Sequence, residues 1–454
     1  MDKRVELMEN SSIPKAVTRL AVPSIAGMLV MAIYNTVDAL YVSRLGESAI
    51  GAVSIALPLL LLISAIGLAF GVGSGSYISR MLGEKNGMEA NRAASTAFFT
   101  SMALGLLFTI SGLLFIQPIL YAFGATDSIM VYAKDYASIL LMFCTFQILN
   151  MTLNNTLRSE GSAFRSMIGM GAGALLNIAL DPLFIFTFNM GVTGAAVATV
   201  ISQMISFLIL FQCYLRKKSL VRISYRFFTA KKYLYVQIMK IGIPTFLRQA
   251  LQSFSVALLN VAARPYGDAA IASIGVVGRV IMISMCIIFG FSQGFQPVAG
   301  FNYGARNYIR LKKATWFAIR TTTLISVLSG LVFYFFSSQI MMAFNATEEM
   351  LFIGNRAFKF IATAMPLIGF TITINVLFQA LGHARGALIL SISRQGLFYI
   401  PLILILPTFF GLTGLFIVQP LAEAMTFVAA LFLAYGIRKK IGKMETEKPP
   451  AVLI

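Results

Sequence analysis

Three acidic residues stand well inside long apolar stretches: Asp38, Asp181 and Glu423. A charge at the centre of a bilayer costs about 2.5 kcal/mol or more, so an acid kept there is expected to hold a proton, a cation or a buried basic partner. Asn177 precedes Asp181 by one turn on the same helical face, and Thr199 lies on the next apolar stretch. At 1.5 Å per residue, Asp38, Asp181 and Thr199 sit roughly 6, 10 and 12 Å from the outer ends of their stretches. Four oxygen-bearing side chains are therefore expected at one level. Two neighbouring carboxylates in a low-dielectric bundle resist simultaneous ionisation, which suits reversible proton uptake. The same four groups are hard oxygen ligands that suit Na⁺. The alternative is a structural hydrogen-bonded pair, or acids exposed near the outer surface. Glu423 is read either as functional or as the partner of a buried cation such as Arg279.

These readings require a membrane protein, and the composition supplies one. Of 454 residues, 58% are hydrophobic and only 12% charged, about half the usual charged share of a soluble chain. Apolar runs divided by Gly, Pro or charge predict twelve spanning helices near 16–42, 48–79, 93–121, 130–157, 163–188, 191–215, 234–261, 268–299, 310–338, 353–380, 387–409 and 413–437. Alternate loops are basic, and the richest carries Arg216, Lys217, Lys218, Arg222, Arg226, Lys231, Lys232 and Lys240 without an acid. The net charge of +19 thus follows the positive-inside rule rather than nucleic-acid binding, with anionic lipid headgroups as a minor partner. Both termini are expected in the cytoplasm. The opening MDKRVELMENSS lacks a signal-peptide pattern, so the first span is expected to direct insertion into the cell membrane.

The chain also repeats itself at a shift of 219 to 221 residues. Pro23 answers Pro244, Gly71 and Gly75 answer Gly290 and Gly294, Gly83 and Asn86 answer Gly304 and Asn307, Asn155 answers Asn375, and GVTG at 191–194 answers GLTG at 411–414. Six helices per half make the halves parallel repeats, an arrangement that secondary transporters use to place a site between two bundles. The expected organisation is an N-terminal lobe 1–215, a cytoplasmic basic linker 216–233, a C-terminal lobe 234–437 and a cytoplasmic tail 438–454. Asp181 corresponds to Ile400 and Asp38 to Asn260, so the carboxylate pair belongs to one half only.

Other chemistry has little support. Cys144, Cys213 and Cys286 fall in apolar stretches without metal-ligand spacing and are read as reduced packing residues. GVGSG at 71–75 is not followed by GK[ST], and His383 is the only histidine, so neither a nucleotide loop nor a nucleophile–His–acid set is present. No cofactor is expected. Gly71, Gly73 and Gly75, and Gly169, Gly171 and Gly173, read as close-packing surfaces between helices. Pro23 reads as a bend on the helix that carries Asp38, or as a helix start.

The segments YNTVDALYVSRLG (34–46), FGVGSGSYISRMLGEKN (70–86), LRSEG (157–161), LLNIALDPLFIF (175–186), GVTGAAVAT (191–199) and PVAGFNYGA (297–305) resemble the multidrug and toxic compound extrusion (MATE) family of the flippase-like exporter superfamily. The resemblance covers roughly 14–440 and is closest to prokaryotic branches with an N-lobe coupling site. It implies an all-α polytopic fold of twelve helices in two pseudo-symmetric six-helix lobes. It also implies a coupling site at Asp38, Asn177, Asp181 and Thr199, with Tyr34 one turn from Asp38. An asparagine of the fourth span belongs to that site, and Asn150, Asn154 and Asn155 compete for the place. The acid that some sodium-coupled relatives carry on the seventh span stands here as Gln252.

The resulting expectation is a non-enzymatic, monomeric antiporter that exports amphipathic or cationic organic compounds against inward H⁺ or Na⁺ flow. Aromatic and Met side chains would give its central cavity adaptable walls. A flippase for lipid-linked precursors or oligosaccharides is the first alternative, and it requires Arg248, Arg279 and Arg394 to face that cavity. A membrane-embedded enzyme or receptor is the second.

Overall fold

A computed structural model describes residues 2–45, 47–344 and 346–446. Gly46, at the end of the first quoted segment, and 447–454 of the expected tail lie outside the described residues. The described chain is helical, running α1 (Lys3–Glu9), α2 (Ile13–Ser43), α3 (Glu47–Gly83), α4 (Gly87–Leu114), α5 (Ile116–Ala122), α6 (Asp127–Met142), α7 (Cys144–Ser159), α8 (Ala163–Pro182) and α9 (Gly191–Leu215). It continues as α10 (Lys232–Ala263), α11 (Asp268–Gly304), α12 (Tyr308–Phe335), α13 (Ser337–Ala343), α14 (Glu348–Leu381), α15 (Ala384–Ile392) and α16 (Ile400–Thr446).

Nine described helical segments are long and apolar enough to cross a membrane, and α6 with α7 forms a tenth span broken by a 50° bend. Two further spans complete twelve among the described residues. The helix α10 is long enough but carries Lys240, Arg248, Gln249 and Gln252, which lower its hydropathy. The apolar segment from Ala384 to Thr446 is two spans joined at Gly411, whose φ of 57° and ψ of −139° no helix contains.

The repeat is written in the backbone. The helices α3, α4 and α5 recur as α11, α12 and α13, every boundary displaced by 221 residues. Lys85 and Arg306 both adopt positive φ, 58° and 57°. Each precedes an asparagine, Asn86 or Asn307, whose side chain caps the following helix. Gly191 and Gly411, at φ 56° and 57°, open the last span of each half, where glycine avoids the steric cost of the left-handed region. The expected match of Gly71 with Gly290 gives way to Gly73 with Gly294, because what recurs is a close helix approach. A Cβ on Gly73 would lie 2.3 Å from the Ile238 carbonyl oxygen, and one on Gly294 would lie 2.4 Å from the backbone of Ala21.

The chain divides into two compact units. One comprises 26–246; the other comprises the described residues of 1–25 and 247–454. The divisions fall just after Pro23 and Pro244, which are interior to α2 and α10. Pro23 is therefore not a helix start. In the first unit α7 packs against α3, α4 and α9, and α8 packs against α9. In the second, α14 packs against α11, α12 and α16, and α1 buries Leu7 and Met8.

The expected linker is folded onto the first unit. Glu160, fully buried at the end of α7, accepts through Oε2 from Ser219 Oγ at 2.6 Å and the Leu220 and Val221 N–H groups at 2.7 and 3.1 Å. Downstream, Arg222 N–H donates to Asn91 Oδ1 at 2.7 Å, and Thr229 N–H donates to Thr96 Oγ1 at 3.1 Å, both on α4. The basic side chains remain exposed at Lys217, Lys218, Arg222 and Arg226.

Candidate functional site

The carboxyl groups of Asp38 on α2 and Asp181 on α8 come together, within hydrogen-bonding and electrostatic range of one another. Asp181 is fully buried and Asp38 partly so. Spacing on α8 does the local work: residues four apart share a face, so Asn177 reaches Asp181. Its amide nitrogen lies 2.9 Å from Asp181 Oδ2, and its oxygen accepts from Thr199 N–H at 3.2 Å. This orientation satisfies both neighbours, which is how an amide is assigned. Helix α8 ends at Pro182, and one π-turn, Leu183–Thr187, carries the chain on. A proline cannot donate to the helical ladder, so a turn of altered hydrogen bonding next to it has an identifiable cause.

Tyr34 of α2 lies within electrostatic range of both carboxyls. Together Tyr34, Asn177, Thr199 and Asn150 line a cavity of about 20 Å³ that also touches Met31 and Gln203. A cavity needs about 10–15 Å³ to hold one water. This one fits a water or a bare monovalent ion and excludes an organic compound.

The structure separates the three competing asparagines. Asn150 Nδ2 donates to the Gln203 backbone and side-chain oxygens, both at 2.7 Å, and its Oδ1 is buried without a partner among the described residues. Asn154 turns to Ser166, donating to its hydroxyl at 2.6 Å. Asn155 donates to the Met151 carbonyl at 2.7 Å and accepts from Arg158. Asn150 is thus the one that faces the cavity. Asp38 Oδ1 is likewise buried without a hydrogen-bond donor among the described residues. The two carboxyls and the Thr199 hydroxyl are hard oxygen donors of the kind that suit a proton or Na⁺. Sequence reasoning missed Tyr136 of α6, buried and within electrostatic range of Asp38, Tyr34 and Asp181; as one aromatic among many on apolar helices it gave no signal.

The remaining candidates lie elsewhere. Glu423, fully buried, pairs with Arg394 rather than Arg279, accepting from Arg394 Nε at 2.6 Å. Arg279 and Gln252 are exposed on their unit, and neither joins the carboxylate cluster. Arg248 lies over the Phe289 ring at 5.6 Å. The cysteines are free, with Cys144 and Cys286 buried. Gly169 and Gly173 pack closely on Leu210 and on Ser206, whereas a Cβ on Gly171 would meet nothing within 4 Å.

A model of the MatE family matches residues 23–183 and again 244–405, once in each repeat. The chain belongs to the MatE family. It is 30% identical over 441 residues to the multidrug export protein MepA of Staphylococcus saprophyticus, covering 97% of both chains. It is 31% identical to MepA of Staphylococcus haemolyticus, again covering 97% of both. Among solved structures, an outward-facing multidrug resistance MATE family transporter of the MOP superfamily matches with a TM-score of 0.90 and 28% identity, covering 98% of this chain and 99% of that one. As a MATE chain it is a multi-pass membrane transporter, not an enzyme, and the family model recovers the sequence repeat independently.

Proposed function

We propose that this transporter is an antiporter that exports amphipathic, often cationic, organic compounds across the cell membrane, driven by inward H⁺ or Na⁺ flow. One observation carries the reading: Asp38 and Asp181 meet beside a cavity sized for a water or an ion. Two carboxylates there resist joint ionisation, so the pair is expected to hold a proton or a cation in one state and release it in another. Each positive charge moving inward across 100 mV supplies about 2.3 kcal/mol, enough to bias a two-state carrier. Occupation of the pair alters the contacts of α2 with α8, and Pro23 provides a place where α2 can bend. The exported compound occupies a central cavity that opens to alternate sides. The names of the relatives support the substrate class. By the positive-inside rule both termini and 216–233 face the cytoplasm, and a monomer suffices.

Efflux from proteoliposomes under separately imposed H⁺ and Na⁺ gradients tests the mechanism. One gradient is expected to drive export of a cationic dye. Export that follows neither gradient overturns antiport. A cysteine placed at Arg222 and labelled only from outside intact cells overturns the topology.

A further inference from the structure

A cavity of about 680 Å³ lies within the unit that contains α1 and α12, where the α1–α2 connection meets the start of α12. That volume falls in the range of ligand pockets, about 300–1,000 Å³. Its walls combine two kinds of chemistry. Ile13, Ile309 and Phe317 are apolar, whereas Arg310 and Lys313 are cationic. Glu9 also lines it, which leaves one positive charge in surplus. Arg310 is fixed from the α1 side: its Nε donates to the Met8 carbonyl at 3.1 Å and its Nη2 to the Ser11 carbonyl. Carbonyls carry no net charge, and Arg310 makes no ion pair with another described residue. Lys313 is exposed, with neither a hydrogen bond nor an ion pair from its side chain to a described residue.

Depth orders these groups. Arg310, Lys313 and Phe317 follow one another by three and four residues, and so share a face of α12. Arg310 stands in the first turn of this spanning helix, and Phe317 lies about 10 Å further in at 1.5 Å per residue. Cations therefore stand at headgroup level with apolar side chains below them. A phospholipid presents its phosphate and its acyl chains in the same order, whereas a free anion uses only the upper half. The Arg310 fork matches two phosphate oxygens, and the Lys313 ammonium adds a movable charge beside it. The surplus positive charge favours a lipid that is anionic overall over a zwitterionic one.

We infer that this cavity binds an anionic glycerophospholipid, its phosphate between Arg310 and Lys313 and an acyl chain along Phe317. The reporter is Trp316, the only tryptophan of the chain, 55% exposed and one turn past Lys313. The purified full chain is placed in phosphatidylcholine vesicles that contain either brominated phosphatidylglycerol or brominated phosphatidylcholine. Bromine quenches tryptophan on contact, so the two series give the relative affinity of each lipid at this face. The wild type is expected to favour phosphatidylglycerol about fivefold or more. Lys313→Gln is expected to lose about fivefold of that preference, the worth of one basic side chain beside a membrane. Lys313→Arg should retain it, because the charge remains. The Lys313 side chain bonds to no described residue, so both variants should melt with the wild type. Arg226→Gln removes an exposed charge from the other unit and should leave the preference unchanged. Equal quenching by both lipids in the wild type overturns the inference, as does a preference that survives Lys313→Gln. A loss in Arg226→Gln as large as that in Lys313→Gln marks diffuse attraction to a basic surface and also overturns it. So does abolition of the preference by excess inorganic phosphate, which assigns the cations to a free anion. The measurement needs no transport, so it stands apart from the antiport reading.

Discussion

Asn177 and Asp181 stand one turn apart on α8, with the Asn177 amide nitrogen 2.9 Å from Asp181 Oδ2. The bond aims the carboxylate, while the other end of the same amide takes the Thr199 N–H at 3.2 Å and ties α8 to α9. Both side chains are buried, Asn177 at 1% and Asp181 at 0% exposure. Removing the charge while keeping the shape therefore separates ion coupling from packing.

Asp38→Asn and Asp181→Asn are each expected to reduce gradient-driven efflux to background while leaving expression and thermal unfolding near wild type. An amide preserves volume and an acceptor oxygen but cannot take up a proton or neutralise a cation. Wild-type efflux by either folded variant removes the pair as the coupling site.

The asparagines on α7 should divide by role. Asn154→Leu leaves the Ser166 hydroxyl without its 2.6 Å donor and is expected to cost about 1–3 kcal/mol of stability, with the ion dependence of efflux unchanged. Asn150→Leu removes a cavity-facing oxygen and is expected to raise the H⁺ or Na⁺ concentration needed for half-maximal efflux. Thermal unfolding and ion titration of efflux, run on both variants, check the division, and the reverse pattern refutes it.

Glycine substitutions test the repeated close approach. Gly73→Ala and Gly294→Ala press a methyl group against backbone at 2.3 and 2.4 Å, and each is expected to lower stability by about 1–3 kcal/mol. Gly171→Ala, which meets nothing within 4 Å, should instead be neutral or stabilising by about 0.5–1 kcal/mol, because alanine favours the helix. Thermal melts of the three variants in one detergent give the comparison.

The Glu160 anchor makes a prediction about the linker. Glu160→Ala withdraws the acceptor from Ser219, Leu220 and Val221, and hydrogen bonds to a charged group contribute about 1.5–3 kcal/mol each. Trypsin should then cut near Lys217, Lys218 and Arg222 about tenfold faster or more, with Glu160→Gln intermediate. Equal cleavage of wild type and Glu160→Ala means that the strap does not depend on this carboxylate.

Membrane class, span positions and the duplication were legible because they rest on properties the chain carries along its length. Apolar runs fix spans by transfer free energy, and the recurring Gly, Pro and Asn mark recurring backbone needs. Gly191 and Gly411 were matched as sequence and proved to share a positive φ. The reading of α8 succeeded for a similar reason, since Asn177 and Asp181 are neighbours by helical period alone.

The order of residues along the chain was enough to identify the kind of molecule, its repeat and the few acids set inside apolar stretches. Tertiary structure alone decided partners between helices. It chose Asn150 over Asn154 and Asn155, gave Glu423 to Arg394 rather than Arg279, and brought Tyr136 toward the carboxylates. It also set the unit divisions inside α2 and α10 and strapped the linker down through Glu160. The physical reason is that helical period fixes which face a side chain shares, whereas the partner across that face depends on the rotation and depth at which two helices pack. Those are set by summed contacts among residues distant in sequence, which no local spacing records.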